Sequence, residues 1–596
     1  MPEVVLTRPA ATLSLAELVT EAQRLQQAGQ AAAAVLLYQD FITEGPPAMR
    51  HVACFNLGTS LGAMNRSSDA EAAYRQAVAL QPNFPHARLN LGHLLERSGQ
   101  HDGAMAQWRA VIDSGAAAAE MQVHAWNNLG RLLEALRRYP EAEAALRESL
   151  LLDPTQPSVV QHYVHLRQKQ CAWPIYQPVG EVGPNRLLSG TSLLAMMSAS
   201  DDPALQLLSA TRFAHERVPK AQPLALHKAM PPRSGKIKIG YLSGDLHMHA
   251  VGLLTPELFE LHDRCKFEVW AFCWTPESDM PQRRRILAAM DHHVRLAGVD
   301  DATAARLIAE AGIDVLVDLQ GLTSGARPAI LGWRAAPVQV SYLGLPGTSG
   351  LPGVDWLLAD GYVMPPELEP YCTEKPIRLP HCYQVSDRQR EVAPRPSRST
   401  YGLPDDQFVY CSFNNNFKFT PEVFGAWMRV LQQVPDSVLW LLADNDTARE
   451  NMLRQADGHG VPRDRLIFAP RVAPPEYLAR FQCADLVLDT FPYNAGTTAS
   501  DALWMGTPIV TLSGRSYISR MAGSLLTAVG LPELVTHSLA DYERLAVLLG
   551  RQPTRVASYK RYLAEHGRTS PLFDLPQIVR DIEAAFERLA LQARGV

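Results

Sequence analysis

Residues 486–512 have the sequence LVLDTFPYNAGTTASDALWMGTPIVTL, which predicts a strand, a loop, a helix and a second strand. The apolar runs Leu486–Leu488 and 508–512 are short and bounded by turn residues, as buried strands are. Between them the segment 496–498, Gly-Thr-Thr, opens a helix whose first backbone N–H groups are free to bind a diphosphate. Parallel α/β sheets bind ligands at the carboxyl ends of their strands. This stretch therefore predicts an α/β domain with a phosphate-binding site.

Strand-like runs alternate with amphipathic helices over the last two thirds of the chain. An earlier series consists of the runs 237–242, 267–272, 315–319 and 338–343. A later series adds the runs 408–413, 438–442 and 466–468 to the two strands above. A less regular span, 380–401, separates the series, so we predict two parallel α/β lobes with the active site in the cleft between them. A final helix, 575–591, is expected to pack across both lobes.

The first quarter of the chain contains an internal repeat. The triplet Asn-Leu-Gly begins at Asn56, Asn90 and Asn128, at intervals of 34 and 38 residues. Each triplet is followed at fixed spacing by an alanine and then by a large side chain, as two packed helices require, and this pattern resembles the tetratricopeptide repeat. We predict about four repeats, the first of them degraded, and a loop insertion within 114–120.

The recurring asparagine has two interpretations. Asn56, Asn90 and Asn128 are either ordinary helix-surface residues or an amide ladder that hydrogen-bonds a peptide backbone without reading its side chains. Stacked helical repeats commonly bind extended peptides or partner proteins in their concave groove. We favour the ladder and expect the repeats to recognise a protein or peptide partner.

Composition and charge argue against several classes of protein. With 596 residues, 47% of them hydrophobic and 20% charged, the chain has the composition of a multidomain globular protein. A net charge of −5 without a long basic run argues against nucleic acid as a partner. No basic apolar leader or long apolar stretch is present, so we expect a cytoplasmic protein that does not contact membranes. Eight scattered cysteines without a CxxC pair predict neither a zinc site nor disulfides.

Two histidines follow the first strand of the earlier series. The segment 243–249, Ser-Gly-Asp-Leu-His-Met-His, places His247 and His249 at the carboxyl end of that strand. A neutral imidazole there could take the proton of an acceptor hydroxyl or hold the acceptor in place, and the sequence leaves both roles open. Asp245, His247 and His249 also alternate as metal ligands can, but no further ligand cluster accompanies them and we expect no metal.

Two segments of the later series, 413–418 (Phe-Asn-Asn-Asn-Phe-Lys) and 489–501, resemble the O-GlcNAc transferase and SPINDLY family, glycosyltransferase family 41. The likeness also covers the repeats, the start of the first lobe, and the segments 343–350 and 504–508. The resemblance implies an α plus α/β multidomain fold, in which a tetratricopeptide superhelix is fused to a two-lobed GT-B catalytic domain. It also implies an inverting hexosyltransferase that moves N-acetylglucosamine from UDP-GlcNAc to Ser or Thr hydroxyls of proteins. Such an enzyme would need no metal or other cofactor, and its repeats would recruit the acceptor.

The same resemblance implies roles for individual residues. His249 matches the active-site histidine of the family, and Lys418 would neutralise the charge that develops on the departing nucleoside diphosphate. Asp501, one helical turn beyond Thr498, would accept hydrogen bonds from the ribose hydroxyls. The nucleotide and its phosphates would contact Asn415, Lys418, Ala473, Tyr477, Gly496, Thr497, Thr498 and Asp501. The sugar would contact Thr323, Gly344, Pro346 and Tyr493.

Departures from the family pattern leave the donor sugar open. Gly496 stands where animal members carry a histidine, and Pro475 stands where they carry a lysine that contacts the base. The segment 489–493 is closer to the SPINDLY branch, which includes protein O-fucosyltransferases that use GDP-fucose. A GDP-fucose-dependent enzyme is therefore one alternative, and a repeat scaffold with a catalytically weak transferase domain is an alternative of another class. The few repeats and the lack of a long insert between the lobes are typical of a bacterial relative.

These segments also predict the domain boundaries. The repeats would occupy 14–170, a linker with a helical segment 171–235, the N-terminal catalytic lobe 236–385, an inter-lobe connection 386–402, the nucleotide-binding C-terminal lobe 403–570 and the C-terminal helix 571–596. The segment 444–446, Asp-Asn-Asp, matches the DxD motif of metal-dependent transferases. It falls in a predicted loop of the C-terminal lobe, and we assign it no metal-binding role.

Overall fold

The computed structural model describes residues 12–115, 117–218, 225–229 and 235–595. The chain forms two compact units, one of Met1–Leu166 with Gln177–Leu187 and the other of Arg167–Tyr176 with Leu188–Val596. None of the helices in the described ranges combines the length and the apolar character that crossing a bilayer requires.

The first unit is a stack of helix pairs. Its helices are α1 (Leu15–Gln27), α2 (Ala31–Glu44), α3 (Arg50–Ala63), α4 (Ser67–Leu80), α5 (Pro85–Arg97), α6 (His101–Asp113), α7 (Ala119–Ala135), α8 (Tyr139–Leu152) and the start of α9 (Pro157–Lys169). Consecutive helices pack in pairs, α1 with α2, α3 with α4, α5 with α6 and α7 with α8. The expected array of four helical repeats is therefore present.

The glycine of each Asn-Leu-Gly triplet is required by the packing of the helix pairs. A Cβ atom at Gly58 would lie 2.7 Å from the ring of Tyr74, and one at Gly92 would lie 2.2 Å from the indole nitrogen of Trp108. Only a residue without a side chain lets the two helices of a repeat approach this closely. The small and large positions of the sequence pattern thus contact each other directly.

The loop insertion predicted in the second interval, between Asn90 and Asn128, is wrong: the added residues form helix. Helix α7 has 17 residues, against 13 in α5, so most of the added residues lengthen a helix. The added segment 119–122 is Ala-Glu-Met-Gln, four residues with high helix propensity, and they extend α7 at its amino end.

The second unit contains two all-parallel sheets, and the first forms the N-terminal lobe. Helices α10 (Pro184–Gly190), α11 (Leu193–Ala199) and α12 (Pro203–Arg217) precede it. The sheet comprises β1 (Ile237–Ser243), β2 (Phe267–Cys273), β3 (His292–Arg295), β4 (Val315–Asp318), β5 (Val338–Ser341), β6 (Trp356–Asp360) and β7 (Lys375–Leu379), in the order β3-β2-β1-β4-β5-β6-β7. Its connecting helices are α13 (Ala250–Leu254), α14 (Pro256–Leu261), α15 (Pro281–Ala288), α16 (Asp301–Glu310) and α17 (Ala329–Gly332).

The second sheet forms the C-terminal lobe. It comprises β8 (Phe408–Ser412), β9 (Ser437–Leu442), β10 (Leu466–Ala469), β11 (Leu486–Leu488), β12 (Ile509–Leu512) and β13 (Val535–Thr536), in the order β10-β9-β8-β11-β12-β13. The helices are α18 (Pro421–Gln433), α19 (Asp446–Gly458), α20 (Pro474–Arg480), α21 (Thr497–Trp504), α22 (Met521–Val529), α23 (Leu539–Arg551), α24 (Pro553–His566) and α25 (Leu575–Arg594). Strands β4, β5, β8 and β12 are buried along their whole length, which explains their continuous apolar sequences.

In both sheets the direction of strand addition reverses beside the first strand. Strand β1 lies between β2 and β4, and β8 lies between β9 and β11. In open α/β sheets the carboxyl ends of the strands that flank such a reversal form the ligand-binding crevice. The two-lobed α/β architecture expected from the sequence is confirmed, and its topology selects the loops after β1, β4, β8 and β11 as the candidate site.

The last helix, α25, returns the chain to the first lobe. Its apolar face, including Ile578, Ile582 and Phe586, joins the core formed by β1, β2 and β5. The carboxylate of Glu583 accepts hydrogen bonds from His262 Nδ1 at 2.9 Å and from the backbone N–H of Asp263 at 2.7 Å. The sequence predicts a helix that packs across both lobes, whereas the buried face of α25 lies in the core of the first lobe. Amphipathicity identifies the buried face but not the surface that covers it.

Candidate active site

Lys418 lies at the crevice of the second lobe, just beyond the carboxyl end of β8. Its ammonium nitrogen is 3.9 Å from the centroid of the Tyr493 ring and donates a hydrogen bond to the carbonyl of Asn494 at 3.3 Å. Burial lowers the pKa of the Lys418 ammonium below its ordinary value, and the negative charge of Asp489 opposes that shift. The lysine side chain is thus held between the loops that follow β8 and β11.

Asp489 shapes the loop after β11. Its carboxylate accepts hydrogen bonds from Thr490 N and Ala495 N, each at 2.8 Å, and from Thr511 Oγ1 at 2.6 Å. Burial raises the pKa of Asp489 above its ordinary value. These three donors come from both ends of the loop and from β12, so Asp489 fixes the path of the backbone up to the start of α21.

The start of α21 is tightly packed at Gly496. A Cβ atom there would lie 2.8 Å from Met521 Cε and 3.2 Å from Gln384 Oε1. A histidine at this position would therefore require the ends of both side chains to move. Thr497 and Thr498, the first residues of the helix, remain partly exposed, so their hydroxyls and the free N–H groups of the first turn are open to a ligand.

Asp501 is almost completely buried and is paired with an arginine that the sequence analysis missed. Its Oδ1 accepts a hydrogen bond from Arg390, which belongs to the segment between the lobes. Its Oδ2 is buried without a hydrogen-bond partner among the described residues. Arg390 lies outside every motif, so no local signal in the sequence could have identified it. One carboxylate oxygen of Asp501 thus has unused capacity to accept a hydrogen bond, and its predicted use by a ribose hydroxyl stays a prediction.

A second unpredicted arginine supports Tyr477, a predicted nucleotide contact. The guanidinium of Arg480 lies 3.9 Å from the ring centroid of Phe413 and 4.6 Å from that of Tyr477, between the two rings. Tyr477 is partly exposed and lies close to Thr498. Ring stacking on a buried guanidinium fixes the plane of Tyr477 beside the start of α21.

The other nucleotide candidates differ in exposure. Asn415 and Ala473 are exposed, whereas the neighbouring Asn414 is buried and its side-chain amide has no hydrogen-bond partner within the described residues. Asn416 joins the loop to β9 through hydrogen bonds with Leu442 O and Asp444 N. Asn415 is therefore accessible, its predicted contact with the nucleotide stays a prediction, and the amide of Asn414 is an additional unsatisfied group in the same loop.

The two histidines of the first lobe lie at the carboxyl end of β1 with one carboxylate between them. Asp245 is 3.7 Å from His249 Nδ1 and 4.0 Å from His247 Nε2. Desolvation raises the pKa of Asp245, and burial lowers that of His247. His249 is substantially exposed, with 44% of its side chain accessible. His247 is 39% accessible, so both imidazoles can meet an acceptor.

The two segments whose sequences resemble metal sites, 243–249 and 444–446, do not form a ligand cluster in the described part of the chain. In the ranges that the structure describes, no group of three or more His, Cys, Asp or Glu side chains is arranged to hold a metal ion. Asp444 of the DxD-like segment pairs with Arg471, and Asn445 caps α19 by accepting a hydrogen bond from Ala448 N.

The predicted sugar pocket comes together only in part. Gly344, after β5, presses on the loop after β4, since a Cβ atom there would lie 2.3 Å from Leu319 O. Thr323 belongs to the loop after β4, and its hydroxyl donates a hydrogen bond to Gln320 O at 3.2 Å. Pro346 is buried. Tyr493, by contrast, faces Lys418 in the other lobe, so its described contacts place it under the lysine and not with the other three.

Comparisons with known proteins agree with this geometry. The family described as Glycosyl transferase family 41 matches residues 214–394 and 391–582, more than half of the chain. The chain belongs to glycosyl transferase family 41. Tetratricopeptide repeat families match residues 55–119 and 123–156.

One solved structure and two curated sequences are similar to this chain. A mutant of the Thermobaculum terrenum O-GlcNAc transferase superimposes with a TM-score of 0.66 at 26% identity, over 92% of this chain and 99% of that one. The probable UDP-N-acetylglucosamine–peptide N-acetylglucosaminyltransferase SEC of Arabidopsis thaliana is 34% identical, over 59% of this chain and 37% of that protein. The UDP-N-acetylglucosamine–peptide N-acetylglucosaminyltransferase of Caenorhabditis elegans is 27% identical, over 58% of this chain and 40% of that protein. The alignments thus span about two fifths of the length of these curated relatives.

The asparagines of the repeats already have neighbours in this family 41 chain. Asn90 donates to the hydroxyl of Tyr74 at 3.3 Å, and the Asn128 amide is 3.2 Å from His93 Nε2. Each of these amides therefore contacts a side chain of the preceding repeat. A peptide ladder formed by Asn56, Asn90 and Asn128 remains a prediction, in which a bound backbone would use the remaining hydrogen-bonding capacity of each amide.

A buried carboxylate anchors the loop of the predicted sugar pocket. Glu374, just before β7, accepts hydrogen bonds from Thr348 Oγ1 and Ser349 N, each at 2.8 Å, and from Ser349 Oγ. Only 3% of its surface is exposed. At the start of the same loop Leu343 adopts a φ of 68°, which is strained for a residue with a side chain. The contacts with Glu374 help to hold the loop in this conformation.

Glu374→Gln is expected to raise the KM for the sugar-nucleotide donor about tenfold while leaving the affinity for the free nucleoside diphosphate unchanged. The amide cannot accept hydrogen bonds at both of its ends, so at least one donor of the loop loses its partner at a cost of about 1–3 kcal/mol. Steady-state kinetics and calorimetry would measure the two quantities. Glu369→Gln, at an exposed carboxylate that pairs with Arg378, is the control. An unchanged donor KM in a variant with a lowered melting temperature would assign Glu374 to folding alone.

Proposed function

We propose that this chain is an inverting glycosyltransferase that moves N-acetylglucosamine from UDP-GlcNAc to serine or threonine hydroxyls of proteins. The observation that carries the proposal is the ammonium of Lys418, which has no ion-pair partner among the described residues and lies in the same crevice as the start of α21. A cation and a set of free N–H groups converging on one crevice suit a diphosphate leaving group. The names of the relatives and the membership of family 41 support the same reaction.

The second lobe would bind the nucleotide part of the donor. The diphosphate would lie at the first turn of α21, where Thr497, Thr498 and the free N–H groups donate hydrogen bonds to it. Asp501 Oδ2 would accept a hydrogen bond from a ribose hydroxyl, and the base would pack beside Tyr477. As the bond between the sugar and the diphosphate breaks, negative charge grows on the phosphate oxygens. Lys418 would stabilise that charge, a role that a divalent cation has in other transferases, so we propose a reaction without a metal cofactor.

The first lobe would bring the acceptor to the opposite face of the sugar. The hydroxyl oxygen of Ser or Thr forms a bond to the anomeric carbon while the bond to the diphosphate breaks, which inverts the configuration at that carbon. The proton of the hydroxyl passes either to His249 or to a phosphate oxygen of the donor. Asp245, 3.7 Å from His249 Nδ1, would stabilise the imidazolium in the first case. We further propose that the repeats recruit the acceptor protein and that the enzyme acts in the cytoplasm.

A protein O-fucosyltransferase that uses GDP-fucose is the second candidate, on one observation. The side chains of Met521 and Gln384 occupy the space that a histidine at position 496 would need. The histidine that animal members of the family carry here is replaced by Gly496 in a closely packed position, which favours a different set of donor contacts. Pro475, in place of a base-contacting lysine, points in the same direction.

Calorimetric titration with UDP, UDP-GlcNAc, GDP and GDP-fucose separates the candidates. We expect binding of UDP and UDP-GlcNAc, and incorporation of labelled N-acetylglucosamine into an acceptor protein. The Thr498→Val variant should weaken nucleotide binding about tenfold, since it loses one hydrogen bond to a charged group. Thr554→Val, at the exposed start of α24 in the same lobe, is the matched control and should bind as the wild type does. Preference for GDP would support fucosyl transfer, and no binding to any of the four would favour the scaffold.

A further inference from the structure

Lys418 lies over the ring face of Tyr493. The distance from the ammonium nitrogen to the ring centroid is 3.9 Å, well within the range of a cation–π contact. The ring is held in turn by its own loop, since Tyr493 O accepts a hydrogen bond from Thr490 Oγ1 at 2.5 Å and Phe417 makes an edge contact at 6.0 Å. The position of the lysine therefore depends on a rigid aromatic surface.

The nearby carboxylate does not pair with this lysine. All the hydrogen bonds to Asp489 described above come from Thr490, Ala495 and Thr511, and Lys418 forms no ion pair with any residue in the described part of the chain. Asp489 acts on Lys418 only through its charge at longer range. The carboxylate of Asp489 instead accepts hydrogen bonds from two backbone N–H groups of its own loop and from the Thr511 hydroxyl on β12.

A ring and a carboxylate have different consequences for a buried ammonium. A carboxylate contact would occupy the N–H groups of the lysine and cancel its charge, so the lysine could stabilise a leaving group only after breaking that ion pair. A ring face stabilises the cation through its quadrupole and leaves the N–H groups free. Of the three N–H groups of Lys418, one donates to Asn494 O. The remaining two have no described acceptor and are available to an anion.

We propose that Tyr493 is a positioning residue. Its ring holds the Lys418 ammonium in the charged form, without an ion-pair partner, and directs it toward the crevice at the start of α21. The role of this pair in the reaction rests on the proposed glycosyl transfer. The pairing itself is a property of the free protein and does not depend on which sugar nucleotide is the donor.

The proposal predicts a pH effect with a defined sign. The groups that face Lys418 are Asp489 at the end of β11, and Tyr493 and Asn494 from the loop that follows. Replacing the ring with an aliphatic side chain leaves the burial and removes the attraction to the cation. The pKa of Lys418 should then fall further below its ordinary value, and the alkaline limb of the kcat profile should move to lower pH.

The test compares Tyr493→Phe, Tyr493→Leu and Tyr493→Met. Phenylalanine keeps the ring, so we expect kcat within about threefold of the wild type, whereas leucine and methionine should lower kcat about tenfold with little change in donor KM. Tyr371→Leu, at a tyrosine with 40% exposure in the first lobe, is the matched control and should leave both parameters unchanged. Equal loss in the phenylalanine and leucine variants, or wild-type kcat in the leucine and methionine variants, would overturn the proposal.

A second measurement needs no donor. Competitive acetylation of the free protein at a series of pH values, read by mass spectrometry of the peptide that contains Lys418, gives the pKa of this amine directly. The leucine and methionine variants should show a lower pKa than the wild type and the phenylalanine variant. If the wild type transfers no sugar, this result still tests the pairing of Tyr493 with Lys418. An unchanged pKa in both aliphatic variants would contradict it.

Discussion

Lys418→Ala should lower kcat by about 10²–10³-fold, the loss typical of removing one group that stabilises charge in a transition state. The charge on the leaving diphosphate is greatest when the bond to the sugar is breaking, so kcat should fall far more than donor affinity. Steady-state kinetics with a peptide acceptor measures the rate, and calorimetry with the free nucleoside diphosphate measures the affinity. Retention of kcat in this variant would remove Lys418 from the chemistry.

The pH dependence of the wild type provides an independent check on Lys418. The ammonium must be protonated to stabilise the leaving group, and burial lowers its pKa below the ordinary value. The rate should therefore decline on the alkaline side at a lower pH than an ordinary lysine would give, and this limb should be absent in Lys418→Ala. Lys375→Ala is the matched control, because the Lys375 ammonium also lies over a ring, that of Trp356 at 5.8 Å, but is exposed in the first lobe. It should keep the wild-type rate and profile.

Glu583→Ala is expected to destabilise the first lobe by about 2–4 kcal/mol, because the buried His262 ring and the backbone N–H of Asp263 would both lose their acceptor. Glu583 accepts from His262 and from the backbone of Asp263, and His262 Nε2 lies 2.7 Å from the hydroxyl of Tyr241 on β1. The carboxylate thereby joins α25 to the first strand of the lobe. Amide hydrogen exchange in α25 and urea denaturation would measure the loss.

Two comparisons make the Glu583 prediction specific. Glu583→Gln keeps one acceptor and should cost about 1 kcal/mol, and Glu587→Ala, which removes an exposed partner of Lys266 on the same helix, should cost less still. Burial holds the pKa of His262 below its ordinary value, so below about pH 6.5 the unfolded chain binds a proton at this site that the folded chain resists. Stability should therefore fall as the pH drops below that value. A stable Glu583→Ala variant with unchanged exchange in α25 would show that the apolar face alone holds the helix.

The sequence determined the elements of this protein and most of its candidate site. The repeat glycines Gly58, Gly92 and Gly130 face the large side chains that the spacing predicts. The strands appear in the sequence because apolar runs and turn residues are local signals. The segments that hold His249, Lys418 and Thr498 follow β1, β8 and β11, and each strand end could be located from its own neighbours in the chain.

The tertiary structure decided which groups meet. Several contacts join residues that no common motif links. They are Arg390 with Asp501, Glu374 with the loop of Thr348, Tyr493 with Lys418, and α25 with the core of the first lobe. Arg390 pairs with a residue 111 positions away, and Glu583 with one 321 positions away. Local sequence fixes the conformation of a segment, because backbone preference and amphipathicity depend on near neighbours. The partner of a buried charge is fixed only when strand order and packing bring distant segments together, and in this protein that is where the electrostatics of the site are determined.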